Sequence, residues 1–219
     1  VALPDVRGTG ELRTGQSRGR TSRATNQSVN LQLHGETLLG QRLRDVRSVI
    51  HFLKSLSGGQ AKSIAMWGDS FAPVNDPDAN LKIPHGIDAW PREPEPLGGL
   101  LAMLAGLFDN YVQAVYVAGG LNNYRGILDH YAVLVPHDAC VPGALTAGDL
   151  CDLASGLRPR PLRLEALVDA QNRPVADEVL QAEDEPTRRF YGREKDQLQL
   201  SAERTSPADW LIENLKAKR

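Results

Sequence analysis

The chain has 219 residues, of which 41% are hydrophobic and 24% charged, and its formal net charge is -2. These values predict one folded domain with a substantial core. The small net charge argues against a nucleic-acid partner, because binding to phosphates requires a basic surface. The longest apolar run, Leu97 to Phe108, is shorter than the roughly 20 residues that a membrane span needs. We therefore expect neither a nucleic-acid nor a membrane partner.

The two cysteines, Cys140 and Cys151, are too few for a disulfide framework or a zinc site. They could pair if the protein is exported, or they could be two separately buried thiols, and the sequence leaves both interpretations open. Nothing else in the chain predicts a metal site or a cofactor.

The first segment, Val1 to Pro4, is apolar and is interpreted as the end of a strand, so we expect the chain to begin inside a larger sheet. The residues Asp5 to Glu11 form a glycine-containing loop after it. The polar stretch from Thr14 to Gln32, which includes several arginines, is predicted to be a long surface loop.

From about Gly35 the apolar residues recur at helical spacing as far as Leu53, and Ser57-Gly58-Gly59 ends this amphipathic helix. The run that begins at Ser63 is predicted to be a buried strand. A helix between two strands favours a parallel sheet, because a parallel pair cannot be joined by a tight hairpin.

The rest of the chain continues this alternation with one proline-rich interruption, Pro73 to Pro96. Further strands are predicted at Val112 to Ala118, Leu162 to Val168 and Gln197 to Ala202. Further helices are predicted at Leu97 to Phe108, Leu145 to Leu157, Val175 to Tyr191 with a break at Pro186, and from Pro207 to about Lys216.

The strand from Ser63 ends in Gly68-Asp69-Ser70-Phe71-Ala72, which matches the nucleophile elbow G-x-S-x-G with alanine in the last position. Small residues are needed two before and two after the serine, because a strand-to-helix turn brings those positions against neighbouring backbone. Ser70 is therefore the candidate nucleophile. Asp169 follows a later strand, which agrees with the chain order of serine and acid in α/β-hydrolases; its alternative role is to cap the next helix.

Four segments together resemble the prolyl-oligopeptidase/acetyl xylan esterase branch of the α/β-hydrolases: Asp5 to Glu11, Gly68 to Ala72, Val141 to Leu145, and Leu157 to Leu162. The resemblance implies a single domain, 1–219, of three-layer α/β-hydrolase-like fold with a mostly parallel sheet that lacks the family's N-terminal strands. It also implies a serine esterase that forms an acyl-enzyme on Ser70. Asp169 would then orient the histidine, and the backbone N–H of Phe71 would be one oxyanion donor.

The chain departs from this family because no histidine follows the last strand, where it reads Leu200-Ser201-Ala202-Glu203. Of the five histidines, His137 is the best candidate base, because the loop that carries it should open at the carboxyl edge of the sheet. The other four are expected to have structural or surface roles. Asp69, Trp90 and Tyr124 are the candidate substrate-binding residues.

Two hypotheses of function follow. The first is an acetyl xylan esterase-like hydrolase that cleaves a small-molecule or carbohydrate acyl ester. The second is a degenerate, non-catalytic hydrolase module that acts in binding or assembly, as a homo-oligomer or with a complementing chain that pairs with an exposed sheet edge at Val1 to Pro4. A peptidase of the same branch is less favoured, because such peptidases carry a large gating domain.

Overall fold

The computed structural model describes residues 1–13, 24–56, 63–79, 81 and 91–216. These residues form a mixed α/β structure around one parallel sheet, with the strand order β1-β2-β3-β4 following the order of the chain. The strands are β1 (Ile64–Asp69), β2 (Val112–Ala118), β3 (Leu162–Glu165) and β4 (Leu198–Ser201).

Helices precede, connect and follow these strands. They are α1 (Thr25–Leu33), α2 (Leu38–Leu56), α3 (Leu97–Phe108), α4 (Gly126–Asp129), α5 (Ala144–Ala147), α6 (Leu150–Ser155), α7 (Asp177–Glu183), α8 (Glu185–Tyr191) and α9 (Pro207–Lys216), with 3₁₀ turns at Gly10–Leu12, His137–Ala139 and Gly192–Gln197. Among the described residues no helix has the length and apolar character that crossing a bilayer would require.

The central strand β2 separates two apolar layers because its side chains alternate between the faces of the sheet. Val115 and Val117 pack in the larger core with α2, α3 and α6, whereas Ala114 and Tyr116 pack on the other face with Trp210 of α9. A register shift between Ile64 and Ala65 of β1 adds one residue to β2, which places Val112 in the same core as Val115. Helices on both faces are consistent with a three-layer α/β fold.

Helix α3 begins directly against the end of β1, and glycine makes this approach possible. A Cβ on Gly68 would lie 2.1 Å from the carbonyl oxygen of Gly98, and a Cβ on Gly98 would lie 2.8 Å from the carbonyl oxygen of Asp69. Because both obstacles are backbone atoms, no side-chain movement could relieve them. The first turn of α3 thus packs on the carboxyl end of β1.

Most predicted elements are present, and three are corrected. The predicted strand at Val1 to Pro4 is wrong, since these residues are exposed and have no regular structure, so an exposed sheet edge there is also wrong. In the predicted loop from Thr14 to Gln32, residues 14–23 lie outside the described residues, while Thr25–Leu33 is a helix.

The predicted helix from Leu145 to Leu157 is divided into α5 and α6. Gly148 has a φ of 151° and ends α5, and Asp149 accepts hydrogen bonds as the N-cap of α6 in a capping box with Asp152. The predicted break at Pro186 is confirmed, because α7 ends at Glu183 and the proline lies in the first turn of α8.

Candidate active site

Ser70 lies at the carboxyl end of β1, where its N–H donates to the carbonyl oxygen of Ala118 at 3.0 Å and extends the ladder between β1 and β2. The predicted strand-to-helix elbow is not formed. Residues 71–75 have no regular structure, and the non-glycine residues with positive φ among those described are Ala166 and Asn172. Ser70 is 4% exposed, and its hydroxyl makes no hydrogen bond to any described residue.

The space that the elbow helix would fill is taken by α3, which arrives only after the proline-rich segment. Gly68 is in tight contact with Gly98 of α3, so the small residue at the first motif position has the role expected for an elbow. The proline-rich segment separates Ser70 from α3, so the residues after the serine do not continue directly into a helix. Ser70 therefore follows the last residue of β1 and does not begin a helix.

Arg204 lies just after β4 and reaches back to the end of β1. Its Nη2 donates to the carbonyl oxygen of Ser70 at 2.8 Å, and its Nη1 lies 3.0 Å from Oδ1 of Asp69. The Asp69 side chain is 12% exposed, and its Oδ2 accepts a hydrogen bond from the indole N–H of Trp67 at 3.1 Å. A guanidinium, which is permanently protonated, thus fixes the backbone of Ser70 and cannot accept a proton from it.

Glu165, at the end of β3, is a fully buried carboxylate beside this cluster. It accepts hydrogen bonds from Tyr116 Oη at 2.6 Å, Arg163 Nε at 2.5 Å, Thr205 N at 2.8 Å and Thr205 Oγ1 at 2.9 Å. Burial raises the pKa of Glu165, but these hydrogen bonds outweigh burial and the net pKa is lowered. The charged carboxylate of Glu165 therefore binds Thr205 and fixes the segment before α9 against the sheet.

Asp169 is found in a turn after β3, and its carboxylate bonds its own loop. Its Oδ1 accepts hydrogen bonds from the N–H groups of Gln171 at 2.8 Å and Arg173 at 2.9 Å. This is an Asx-type turn, in which Asn172 adopts a φ of 57°. The carboxylate stabilises local backbone and forms no hydrogen bond or ion pair with a histidine among the described residues.

His137 begins the 3₁₀ turn His137–Ala139 and contacts α1. Its Nδ1 lies 3.1 Å from Oγ of Ser28, and its carbonyl oxygen accepts from the same hydroxyl at 3.3 Å. The structure therefore does not bring His137 into hydrogen-bonding contact with Ser70 or Asp169. Its neighbour Asp138 pairs with the buried Arg42 of α2, which fixes this turn against the helices.

The remaining predicted site residues are dispersed. Phe71 is 78% exposed, and its N–H bonds to no described residue. Tyr124 is buried and its hydroxyl donates to the carbonyl oxygen of Ala139 at 2.6 Å, which is a packing role. Trp90 lies outside the described residues. Of the predicted site residues that the structure describes, only Asp69, Ser70 and Phe71 are together, since they are consecutive.

No family model, no curated protein and no solved structure matches the chain. Within the part of the chain that the structure describes, His, Cys, Asp and Glu side chains form no group of three or more that could hold a metal ion. The interpretation of the site therefore depends on its own contacts.

The sequence interpretation overlooked Arg204 and Glu165. The signal for Arg204 was its position, immediately after the strand at which the resemblance implies a histidine. The signal for Glu165 was a pair of charged residues, Arg163 and Glu165, in an otherwise apolar run from Leu162 to Val168, because a buried carboxylate requires donors and Arg163 supplies one.

Proposed function

We propose that the chain is a non-catalytic module of α/β-hydrolase-like architecture whose role is binding. The observation that carries the proposal is the contact of Arg204 with Ser70 and Asp69. In the α/β-hydrolases that the sequence resembles, a histidine after the last strand takes the proton of the nucleophile. Arg204 directly follows Leu200 to Glu203, the segment in which that histidine is absent; it holds a carbonyl oxygen and has no basic lone pair to offer.

Three further observations argue against catalysis by Ser70 and so favour a binding role. Ser70 is buried, Asp169 is engaged by its own turn, and His137 is engaged by Ser28. An unactivated serine is a poor nucleophile near neutral pH. Parallel α/β sheets bind ligands beyond the carboxyl ends of their strands, so the same edge can serve recognition without chemistry.

An esterase that uses Ser70 stays a second candidate, because two of its parts are unengaged. The hydroxyl of Ser70 and the N–H of Phe71 make no hydrogen bond to any described residue. They adjoin one another at a strand end, as a nucleophile and its oxyanion donor do. The missing part is the general base, because no candidate base forms a hydrogen bond with the Ser70 hydroxyl among the described residues.

A fluorophosphonate probe separates the two functions, since it labels only an activated serine. We expect no labelling of the folded chain, and hydrolysis of p-nitrophenyl acetate equal to that of the Ser70→Ala variant. Ser201→Ala is the matched control, because Ser201 is the last residue of β4 and its hydroxyl bonds the backbone of Glu203. Labelling that disappears in Ser70→Ala and persists in Ser201→Ala would establish the esterase and overturn the proposal.

A further inference from the structure

Thr187 of α8 places a single buried hydroxyl between two oxygen atoms. Its Oγ1 lies 2.9 Å from the carbonyl oxygen of Cys151 in α6 and 3.3 Å from Oδ1 of Asp184. A hydroxyl carries one proton, so it can donate to only one of these oxygens at a time. A carbonyl oxygen has no proton to donate in return, whereas a carboxyl group can carry one. Both contacts are therefore hydrogen bonds only if Thr187 donates to Cys151 and a protonated Asp184 donates to Thr187.

The surroundings of Asp184 offer its carboxyl no other donor. Asp184 joins the end of α7 to the start of α8 and is 5% exposed, and its side chain accepts no hydrogen bond from the first turn of α8. Among the described residues no Lys, Arg or His side chain forms an ion pair with it. A buried carboxylate with one shared donor is costly, so the neutral acid is favoured. In agreement, burial raises the pKa of Asp184 to about 6.

The charged groups near Asp184 also favour the neutral acid. After burial, the neighbouring Glu183 raises the pKa of Asp184, whereas the Thr187 hydroxyl and Arg188 of α8 lower it without reversing the effect of burial. The side chains that α3, β2 and β3 place beside Asp184 are uncharged: Met103, Val117 and Leu164. The other titratable side chains share with Asp184 the lining of a cleft, and they are Arg125, Asp129, His130, Asp149, Cys151 and Asp169. Arg125 lies 3.8 Å from Asp129, so its charge is already paired.

The protonated form makes a chain of two hydrogen bonds, from Asp184 to Thr187 and from Thr187 to the carbonyl oxygen of Cys151. This chain joins the corner between α7 and α8 to α6. Ionisation of Asp184 removes the first donor, so one of the two hydrogen bonds is lost. The carbonyl oxygen of Cys151 keeps a partner in either case, because it also accepts from Oγ of Ser155 at 2.8 Å. The loss therefore falls on the link between α6 and α8.

From this geometry we propose that Asp184, Thr187 and Cys151 form a pH-sensitive clasp, which holds α8 on α6 while Asp184 is protonated and loosens when Asp184 ionises. Glu183 and Asp184 also line the cleft beyond the carboxyl ends of β2 and β3, which is the edge where parallel sheets bind ligands. The clasp thus decides how firmly one wall of that cleft is held. It does not depend on the binding function proposed above.

Two NMR measurements on the whole chain test the clasp. The carboxyl carbon of Asp184 should titrate with a midpoint near pH 6, well above the ordinary value of 3.8. Hydrogen exchange should show that α8 is held less firmly once Asp184 has ionised. The reporter is the amide of Arg188, which donates to the carbonyl oxygen of Asp184 at 3.0 Å. Its protection, corrected for the intrinsic exchange rate, should fall by about tenfold between pH 5 and pH 7.5, because ionisation favours the opened corner.

Helix α9 is the internal reference, since it packs on the opposite face of the sheet with Tyr116 and Trp210. The protection of its amides should change by less than about twofold over the same pH range. An equal fall in α8 and α9 would show a general loss of stability and would overturn the clasp.

Three variants separate the clasp from simple burial of a carboxyl, with the fold of each checked by circular dichroism. Asp184→Asn should abolish the pH dependence, because its amide donates to Thr187 at every pH. Thr187→Val keeps the size and removes the hydroxyl, so it should lower α8 protection at pH 5 by about fivefold or more. Thr187→Ser keeps the hydroxyl and should retain both the protection and its pH dependence.

Four results would each overturn the clasp. The first is an Asp184 carboxyl that titrates near its ordinary value, and the second is α8 protection that does not change with pH. The third is a pH dependence that persists in Asp184→Asn. The fourth is equal protection in Thr187→Val and Thr187→Ser at pH 5, which would show that the hydroxyl does not link α8 to α6.

Discussion

Asp184 is a single buried carboxyl whose ionisation opposes folding. Burial raises its pKa to about 6, above the ordinary value of 3.8. A raised folded pKa means that the folded state binds the proton more tightly than the unfolded state does. The contribution of the protonated Asp184 carboxyl to the free energy of unfolding is therefore complete below about pH 3.8. This contribution is lost as the pH rises through about 6.

Asp184→Asn should accordingly stabilise the protein at pH 7.5. The amide keeps an acceptor for Thr187 and never ionises, so the gain should be about 3 kcal/mol from a shift of about two pKa units. Urea unfolding at pH 7.5 and pH 4.5 measures it, and most of the gain should be absent at the lower pH. Asp196→Asn, at an exposed position, is the control and should change stability little. A gain of the same size at both pH values would contradict the assignment to ionisation.

The sequence predicted the strand end at Ser70 correctly, whereas β3 ends at Glu165 and not at Val168, so Asp169 lies in a turn beyond the strand. The hydrogen-bond partners of both residues could not be predicted. A strand end is predicted by where an apolar run stops, which is a local property. The partner of Asp169 depends on the turn that follows, and an Asx turn competes directly with a catalytic role for the same carboxylate. His137 was assigned from loop position alone, and its contact with Ser28 involves a helix that the sequence interpretation had not predicted.

At the scale of elements, the contact between α3 and β1 depends on backbone approach without side chains. A Cβ on Gly68 would lie 2.1 Å from Gly98 O and 2.4 Å from Gly98 C. These are backbone atoms inside a helix, so relief would require moving α3 as a whole. Overpacking against this backbone should lower the free energy of unfolding more than overpacking against a flexible side chain, because a side chain can move aside.

Gly68→Ala should therefore destabilise the protein by about 3 kcal/mol or more, measured by urea unfolding at pH 7.5. Gly156→Ala is the matched control, because its new Cβ would meet the Cδ1 of Leu107 at 3.1 Å, and that side-chain end can shift. The control should cost no more than about 1 kcal/mol. Similar losses in both variants would mean that the close approach of α3 to β1 does not limit stability.

The helices α2, α3 and α9 and the strand β2 were predictable because their apolar pattern persists over several turns or a whole buried strand. Helix α1 was not, because its sequence Thr25–Leu33 is mostly polar and its contacts are with α2 and the His137–Ala139 turn. Tertiary contact decides such a helix, which local propensity cannot indicate. The break at Gly148 was likewise hidden, since Asp149 continues the helical spacing while serving as an N-cap.

At the scale of the whole molecule, β1 is one of the two outer strands of the described sheet. β2 and β3 have a parallel neighbour on each side, whereas β1 pairs only with β2 among the described residues. Trp67 of β1 is 48% exposed, and the strand contains no lysine or proline of the kind that discourages edge pairing. The predicted pairing through Val1 to Pro4 is wrong, because these residues form no strand, and we predict that any pairing between chains would involve β1 instead.

Hydrogen exchange measured by NMR tests whether this edge is paired in solution. Ile64 N donates to Tyr111 O and Ser70 N donates to Ala118 O, so by alternation the amides of Met66 and Gly68 also point towards β2. The amides of Ala65, Trp67 and Asp69 point away from it. We expect these three to exchange at least about 100-fold faster than Met66 and Gly68, because an amide without a partner exchanges without unfolding. Slow exchange at all five amides at low protein concentration would show that another segment covers the edge, and slowing that appears only at high concentration would show pairing between copies.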